Sequence, residues 1–314
     1  MRNNGMILMI KFIHTLWIVC FALCLVASKG GIAAPISLTC NASNVGLTSI
    51  TTLTSSDNLL INHYDAQSCV GFAKANDDQK GLSSPSPNIG ELNDGLLNGQ
   101  TVKIKGKDVQ YFTGNEFITP AQLLDLDNDG TATDPGWIHL ANLNADDDLE
   151  AEYSSLGPDK LNIGDLLSFD ISGCNTSDCT SGMWTLTTTE NIIEVVQSVL
   201  GRATFDHLAL SIKASTSFVV YELDFANIFT AEIASNAQSS LDFSTPYILS
   251  GTFNTNDLIN GGGNPVGVSH MNVWARDPVA QTPQPVNSPS VWFLFLSTII
   301  WMLYRRYCNN DNSL

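Results

Sequence analysis

Through much of the chain apolar and polar residues alternate in short runs. "LLSFDIS", "MWTLTTT", "HLALSIKAS", "SFVVYELDF", "YILSGTFN" and "VSHMNVWAR" each carry an apolar residue at nearly every second position. Successive side chains of a strand point to opposite faces, so this period predicts half-buried β-strands. Gly, Asn, Ser, Asp or Pro bounds each run, as turns require. "TVKIKGKDVQYF" reads as two short strands around Gly106, and "IKASTSFVVYELDF" as a hairpin turning near Ser215–Ser217. Many short strands at modest spacing predict an all-β body, an antiparallel, jelly-roll-like β-sandwich.

One segment changes period. In "ENIIEVVQSVLG" the apolar residues Ile192, Val195, Val196 and Val199 recur at helical spacing, and Gly201 stands where a helix stop belongs. The spacing predicts one amphipathic helix packed on the sandwich; a pair of buried strands is the competing reading. "GLSSPSPNIG" reads as a loop, and "DPVAQTPQPVNSPS" as a linker extended by its prolines.

The two ends are different. Near the N-terminus Arg2 precedes an apolar run centred on Leu16 to Val26, followed by small residues up to Ala33. This is the order of a secretory signal, cut after Ala33 or earlier near Ser28. Near the C-terminus Val291 to Tyr304 is apolar, and Arg305 and Arg306 follow at once. About 14 helical residues rise roughly 21 Å, short of a hydrocarbon core of about 30 Å. The segment spans only with help from its aromatic and basic flanks, with the arginines inside and the body outside. The expected organisation is a signal helix over 1–33, an ectodomain over 34–277, a linker with a sorting motif over 278–290, and a short membrane helix with a basic tail over 291–314.

Charge narrows the partners. The chain carries 31 acidic against 14 basic residues, a net charge of −17. Arg2, Lys11, Lys29, Arg305 and Arg306 sit in the end segments, so the body is more acidic still. Such a surface repels nucleic acid and attracts cations. Of seven cysteines, Cys20, Cys24 and Cys308 lie in the ends, leaving Cys40, Cys69, Cys174 and Cys179 in the body. An even number in an exported chain suits disulfides, and four permit three pairings. Cys40–Cys69 with Cys174–Cys179 is the simplest. Zinc is the rival, although paired CxxC knuckles are missing.

The sharpest site-like stretch is "LLDLDNDGTATDPGW". Asp125, Asp127 and Asp129 alternate before Gly130, and Asp134 follows. Converging carboxylates suit calcium, which takes six to eight oxygen ligands. The start matches an EF-hand loop, but Gly136 stands at the twelfth position in place of the bidentate Glu. A calcium-stapled β-loop and a solvated acidic turn are the two readings, and "ADDDLEAE" could add oxygens. Trp137, at a turn after Pro135 and Gly136, is a candidate for stacking on a sugar ring; Trp184 reads as core.

Catalytic signals are weak. Ser269 adjoins His270, but neighbours on a strand face opposite ways. The chain has no GxSxG elbow and no HExxH helix. The expectation is a protein without enzymatic activity.

The C-terminal pattern adds an identity for the tail. Val286, Asn287, Ser288 and Pro289, then the apolar segment, then Arg305 and Arg306, resemble the PEP-CTERM sorting signal of Gram-negative bacteria. Its usual motif is V-P-E-P, and this chain keeps the outer Val and Pro. "SCVGFAKANDD", "DPGWIHLA" and "GVSHMNVWARDP" are similar to segments of PEP-CTERM ectodomains. The resemblance implies processing by an exosortase-type membrane protease and a place at the cell surface or in an exopolysaccharide matrix. It supplies no catalytic residue. The readings to test are thus a non-enzymatic surface or matrix protein associated with biofilm polysaccharide, a calcium-dependent carbohydrate-binding module, and a secreted polysaccharide hydrolase.

Overall fold

The computed structural model describes residues 34–276, except 79–80, 146–148, 175–178, 203 and 237. The signal segment, the linker with Val286–Pro289, the C-terminal apolar segment with Arg305 and Arg306, and Asp146–Asp148 lie outside the described residues.

The described chain is mostly β. Its strands are β1 (Ile36–Leu38), β2 (Val45–Thr52), β3 (Tyr64–Asp65), β4 (Ser68–Ala73), β5 (Thr101–Ile104), β6 (Lys107–Gln110), β7 (Trp137–Asn144), β8 (Ala151–Tyr153), β9 (Ser155–Leu156), β10 (Leu161–Asn162), β11 (Leu167–Ser172), β12 (Ser181–Thr188), β13 (His207–Ala214), β14 (Ser217–Asp224), β15 (Tyr247–Asn254) and β16 (His270–Arg276). Two α-helices accompany them, α1 (Ile192–Leu200) and α2 (Phe225–Ser235). A seven-stranded sheet has the order β1-β4-β14-β13-β16-β7-β8, and a five-stranded sheet β11-β12-β15-β2-β3. Their pairings are antiparallel. No helix among the described residues is long and apolar enough to cross a membrane.

The two sheets share one core. Leu210, Ile212, Val219, Tyr221, Met271 and Val273 of the larger sheet join Leu47, Ile50, Phe169, Trp184 and Phe253 of the smaller in one buried cluster. Each such side chain contributes about 1.5–3 kcal/mol on leaving water. Trp184 lies over Gly251, its partner across β12 and β15. A Cβ at Gly251 would meet the indole at 2.5 Å and the Gly46 carbonyl oxygen at 1.9 Å, so only glycine fits there.

The larger sheet is also covered on its other face. Residues 74–136, between β4 and β7, carry the β5–β6 hairpin and fold over it. Leu82, Leu96, Leu97 and Phe112 of this insertion pack on Phe72, Ala209, Phe218, Val220, Trp137 and Trp274 of the sheet. Burial on both faces explains why β7, β13, β14 and β16 are buried almost residue by residue.

The expected helix forms over Ile192–Leu200 and ends at Gly201, whose φ of 72° suits glycine. A second helix, α2, was not among the expected elements. The Asp224 carboxylate caps it by accepting from Asn227 N at 3.0 Å, so the last residue of β14 starts a helix. Cys40–Cys69 and Cys174–Cys179 are the disulfides.

Candidate functional site

The acidic loop is only partly assembled as its sequence suggests. Asp125, Asp127 and Asp129 are exposed and present oxygens within 4.8 Å of one another. Some of their capacity goes to the loop: Asp125 accepts from Gly130 N at 3.1 Å, Asp127 from Asp129 N at 3.2 Å and Asp129 from Thr131 N at 2.7 Å. Asp134 does not join them. It is buried, 2 % exposed, and accepts from Leu92 N at 2.8 Å and Leu126 N at 2.7 Å. Its carboxylate holds the base of the loop to the insertion. Trp137 is likewise no stacking platform: it is 1 % exposed, packed edge-on against Phe117 at 6.1 Å. The turn before Trp137 ends at once in the middle of a covered sheet.

A different constellation appears where the insertion meets β16, β13 and β7. Polar residues break the apolar cover there: Ser211 on β13, His270 and Asn272 on β16, His139 and Asn142 on β7, all buried. Asp77, from the insertion, is fully buried among them. Its carboxylate accepts from His270 Nε2 at 2.6 Å, from Asn272 Nδ2 at 3.1 Å and from the Ser211 hydroxyl. Burial pushes the Asp77 carboxyl up. The hydrogen bond and charge of His270, with the bonds from Ser211 and Asn272, outweigh burial and hold it below the usual carboxylate range.

From Asp77 the proton positions follow link by link. A carboxylate only accepts, so the Asn272 atom facing it is Nδ2. Asn272 Oδ1 therefore faces the other way, where it accepts from Asn142 Nδ2 at 2.7 Å and lies 3.1 Å from His139 Nε2. His139 Nε2 must carry its hydrogen, which leaves Nδ1 bare in the neutral ring. Ser154 Oγ lies 2.5 Å from Nδ1 and donates to it. Burial drives the His139 pKa down to about 4, with the Asn272 hydrogen bond and the Asp77 charge opposing it. The ring is neutral at neutral pH, an acceptor toward Ser154.

Two local features hold this arrangement. β7 carries a bulge: Val273 pairs with Ala141 but Trp274 pairs with His139, leaving Leu140 as the extra residue. Leu140 and Ala141 both enter the main core. The parity of the strand is thus reset, and His139 and Asn142 both reach Asn272 on the outer face. The insertion supplies the second feature. Asn88 accepts from His139 N at 2.9 Å and donates to His139 O at 2.8 Å and Ser155 O at 3.0 Å. Asn98 does the same for Trp137, accepting from its N at 3.0 Å and donating to its O at 2.7 Å. Two amide side chains thus take the place of a neighbouring strand along the first half of β7.

Ser154 is half-buried and opens on a recess of about 310 Å³. Pro85 and Pro87 of the insertion form one wall; His139, Asn142, Glu152 and Lys160 line the rest. Asn142 Oδ1 has no hydrogen-bond partner. Ser154 itself is held firmly, with its N–H bonded to Leu140 O at 3.0 Å and its carbonyl to Ile163 N at 3.0 Å. The adjacent pair Ser269 and His270 does not form, as expected: Ser269 Oγ accepts from Ser215 N at 3.3 Å instead.

At the opposite end of the same sheet face, His207 Nδ1 lies 2.6 Å from Glu222 Oε1, and Ser68 donates to Glu222 Oε2 at 3.0 Å. Asp206 lies 3.6 Å from His207 Nε2 and 3.5 Å from Arg276 Nη1. Arg276 also donates to Pro135 O at 2.8 Å and to Gln122 O. His207, Glu222 and Asp224 are close enough to share a metal ion, but both His207 nitrogens already face carboxylates.

The residues around Ser154 escaped sequence reading because Asp77, His139, Ser154 and Asn272 come from four separate segments. A usable signal existed: His139 and Asn142 are polar residues inside the otherwise apolar run "WIHLANL". No family model, curated protein or solved structure matches this chain.

Proposed function

We propose that this chain is an exported protein of the cell surface or extracellular matrix, with a jelly-roll-like sandwich as its body, and that it binds a hydroxylated polymer such as an exopolysaccharide. The observation that carries the reading is the pairing of all four body cysteines into disulfides, which persist in oxidising compartments. The signal-like N-terminus and the PEP-CTERM-like tail agree with export, sorting by an exosortase-type protease and passage through the membrane. The recess beside Ser154 supports the binding role: hydroxyl, amide, carboxylate and ammonium groups line it, the groups that pair with sugar hydroxyls.

Two measurements test this. Intact mass of the mature protein from its host should place its C-terminus near Ser288–Ser290; a mature form in the cytoplasm would sink the reading. Retention on the host's own polysaccharide should fall in Glu152→Ala and Lys160→Ala, both solvent-facing.

A calcium-dependent version has its own support in the Asp125, Asp127 and Asp129 cluster. Calcium bound there would raise the melting temperature by mass action, and Asp127→Ala would abolish the rise. Equal melting with chelator and with millimolar calcium removes that version and leaves the recess reading intact.

A further inference from the structure

We infer that the recess is also a catalytic site, in which Ser154 is a nucleophile toward small O-acyl esters of hydroxylated ligands and His139 is its general base. This rests on the recess as the place where ligand binds, and goes beyond binding. A serine nucleophile needs a base within hydrogen-bond reach, and the base needs a third group to fix its tautomer and orientation. Ser154 Oγ lies 2.5 Å from His139 Nδ1, and Asn272 Oδ1 lies 3.1 Å from His139 Nε2. Asn272 is fixed in turn by Asp77 and Asn142, so the bare nitrogen of His139 can face only the serine. A structural network would be expected to bury its last member. This one ends on a half-buried hydroxyl at an open recess.

The step balances without any co-reactant except water. Ser154 Oγ attacks the ester carbonyl carbon, and its proton moves to His139 Nδ1. The Asp77 charge, one residue beyond Asn272, favours the imidazolium that forms. The tetrahedral species then breaks its C–O bond to the alcohol, which takes the proton from Nδ1. An acyl-serine remains. Water attacks it with His139 again as base, which releases the carboxylic acid and restores Ser154. Lys160 lines the same recess and adds positive charge to it, which favours an anionic intermediate. Esters fit better than amides, because an alkoxide leaves the tetrahedral species far more readily than a nitrogen anion and so asks less of the general acid.

The test uses the full chain and two probes, a fluorophosphonate and p-nitrophenyl acetate, followed by acetylated host polysaccharide. The fluorophosphonate is expected to add to the peptide carrying Ser154, and Ser154→Ala should abolish both the adduct and about 10³-fold or more of the turnover. Ser154 is only partly buried, so this variant should stay folded, with its melting temperature lowered by no more than a few degrees. His139→Gln should lose the adduct while leaving the Ser154 hydroxyl in place. Turnover should hold from neutral pH down toward pH 5, because the base protonates only near about 4. Absence of an adduct on Ser154, or turnover that survives in Ser154→Ala, overturns the inference. Polysaccharide retention separates the two claims. An adduct without retention refutes only the polymer-binding reading, and retention without an adduct refutes only the catalytic one.

Discussion

The outer face of the seven-stranded sheet carries two histidine–carboxylate pairs, and they end differently. His207 and Glu222 sit at one end, His270 and Asp77 at the other, each pair at 2.6 Å. Both pairs are buried, and the insertion reaches each end, supplying Asp77 at one and carbonyls to Arg276 at the other. At the first end the polar contacts run inward, from His207 past Asp206 at 3.6 Å to Arg276, which is fully buried and bonded to carbonyls of the insertion. At the second they run outward, through Asn272 and His139 to a serine at a recess. Similar groups on one sheet thus make a clamp at one end and a relay at the other. The difference lies in whether the last hydrogen bond reaches solvent.

The largest expected effects break the buried pairs. Glu222→Ala leaves His207 and Ser68 facing a void and should cost about 3–5 kcal/mol, measured by denaturant unfolding. Asp77→Ala should cost a similar amount. It should also weaken fluorophosphonate labelling of Ser154, whereas Glu222→Ala, in whatever fraction remains folded, should not.

Next comes pH. Burial sets the folded pKa of His139 below its ordinary value of 6.5, at about 4. The folded state then holds fewer protons than the unfolded chain between those values. Stability is complete above about 6.5 and falls as pH drops toward 4, by about 3 kcal/mol in all. His139→Gln should flatten this slope. Asp77, held low, adds a further loss only at more acidic pH, as its carboxylate is protonated.

The clamp should show the opposite sign. Burial raises the Asp206 carboxyl, against the pull of His207 and Arg276. Above the ordinary carboxylate range the folded state therefore holds more protons than the unfolded one, and Asp206 favours folding more as pH falls through its raised value. Asp206→Asn should remove this smaller, opposing slope from the pH–stability curve. Smallest of all, Ser154→Ala should change stability by no more than about 1 kcal/mol, since it removes one partly exposed hydrogen bond.

Much of the frame was legible where one sheet face differs from the other. "YILSGTFN" is the central strand of the five-stranded sheet, buried at Tyr247, Gly251 and Phe253 and less so between them, and its alternation marks β15 from Tyr247 to Asn254. α1 was legible because its apolar stripe faces one neighbour and Gly201 stops it. β7 was not, because the bulge that leaves Leu140 as an extra residue breaks its period. α2 was hidden because Asp224 ends an alternating run and caps a helix with the same side chain. In the acidic loop Asp125, Asp127 and Asp129 lie within reach of one another, as their spacing in sequence suggests. Nothing local could reveal that Asp134 turns inward to two backbone amides, or that Trp137 enters a covered sheet. The relay was beyond reach for the same reason: its members meet only after the insertion folds back across the sheet.

The asparagines that line β7 have a consequence for how the protein fares in a crowded environment. A strand with an open row of amides and carbonyls is a template on which another chain can add itself. Asn88 and Asn98 occupy those groups at His139 and Trp137 with side chains, which offer no continuing ladder to a newcomer. The sheet is thereby sealed against intermolecular growth at the point where β8 stops short, and a second chain finds no open ladder along that stretch of β7.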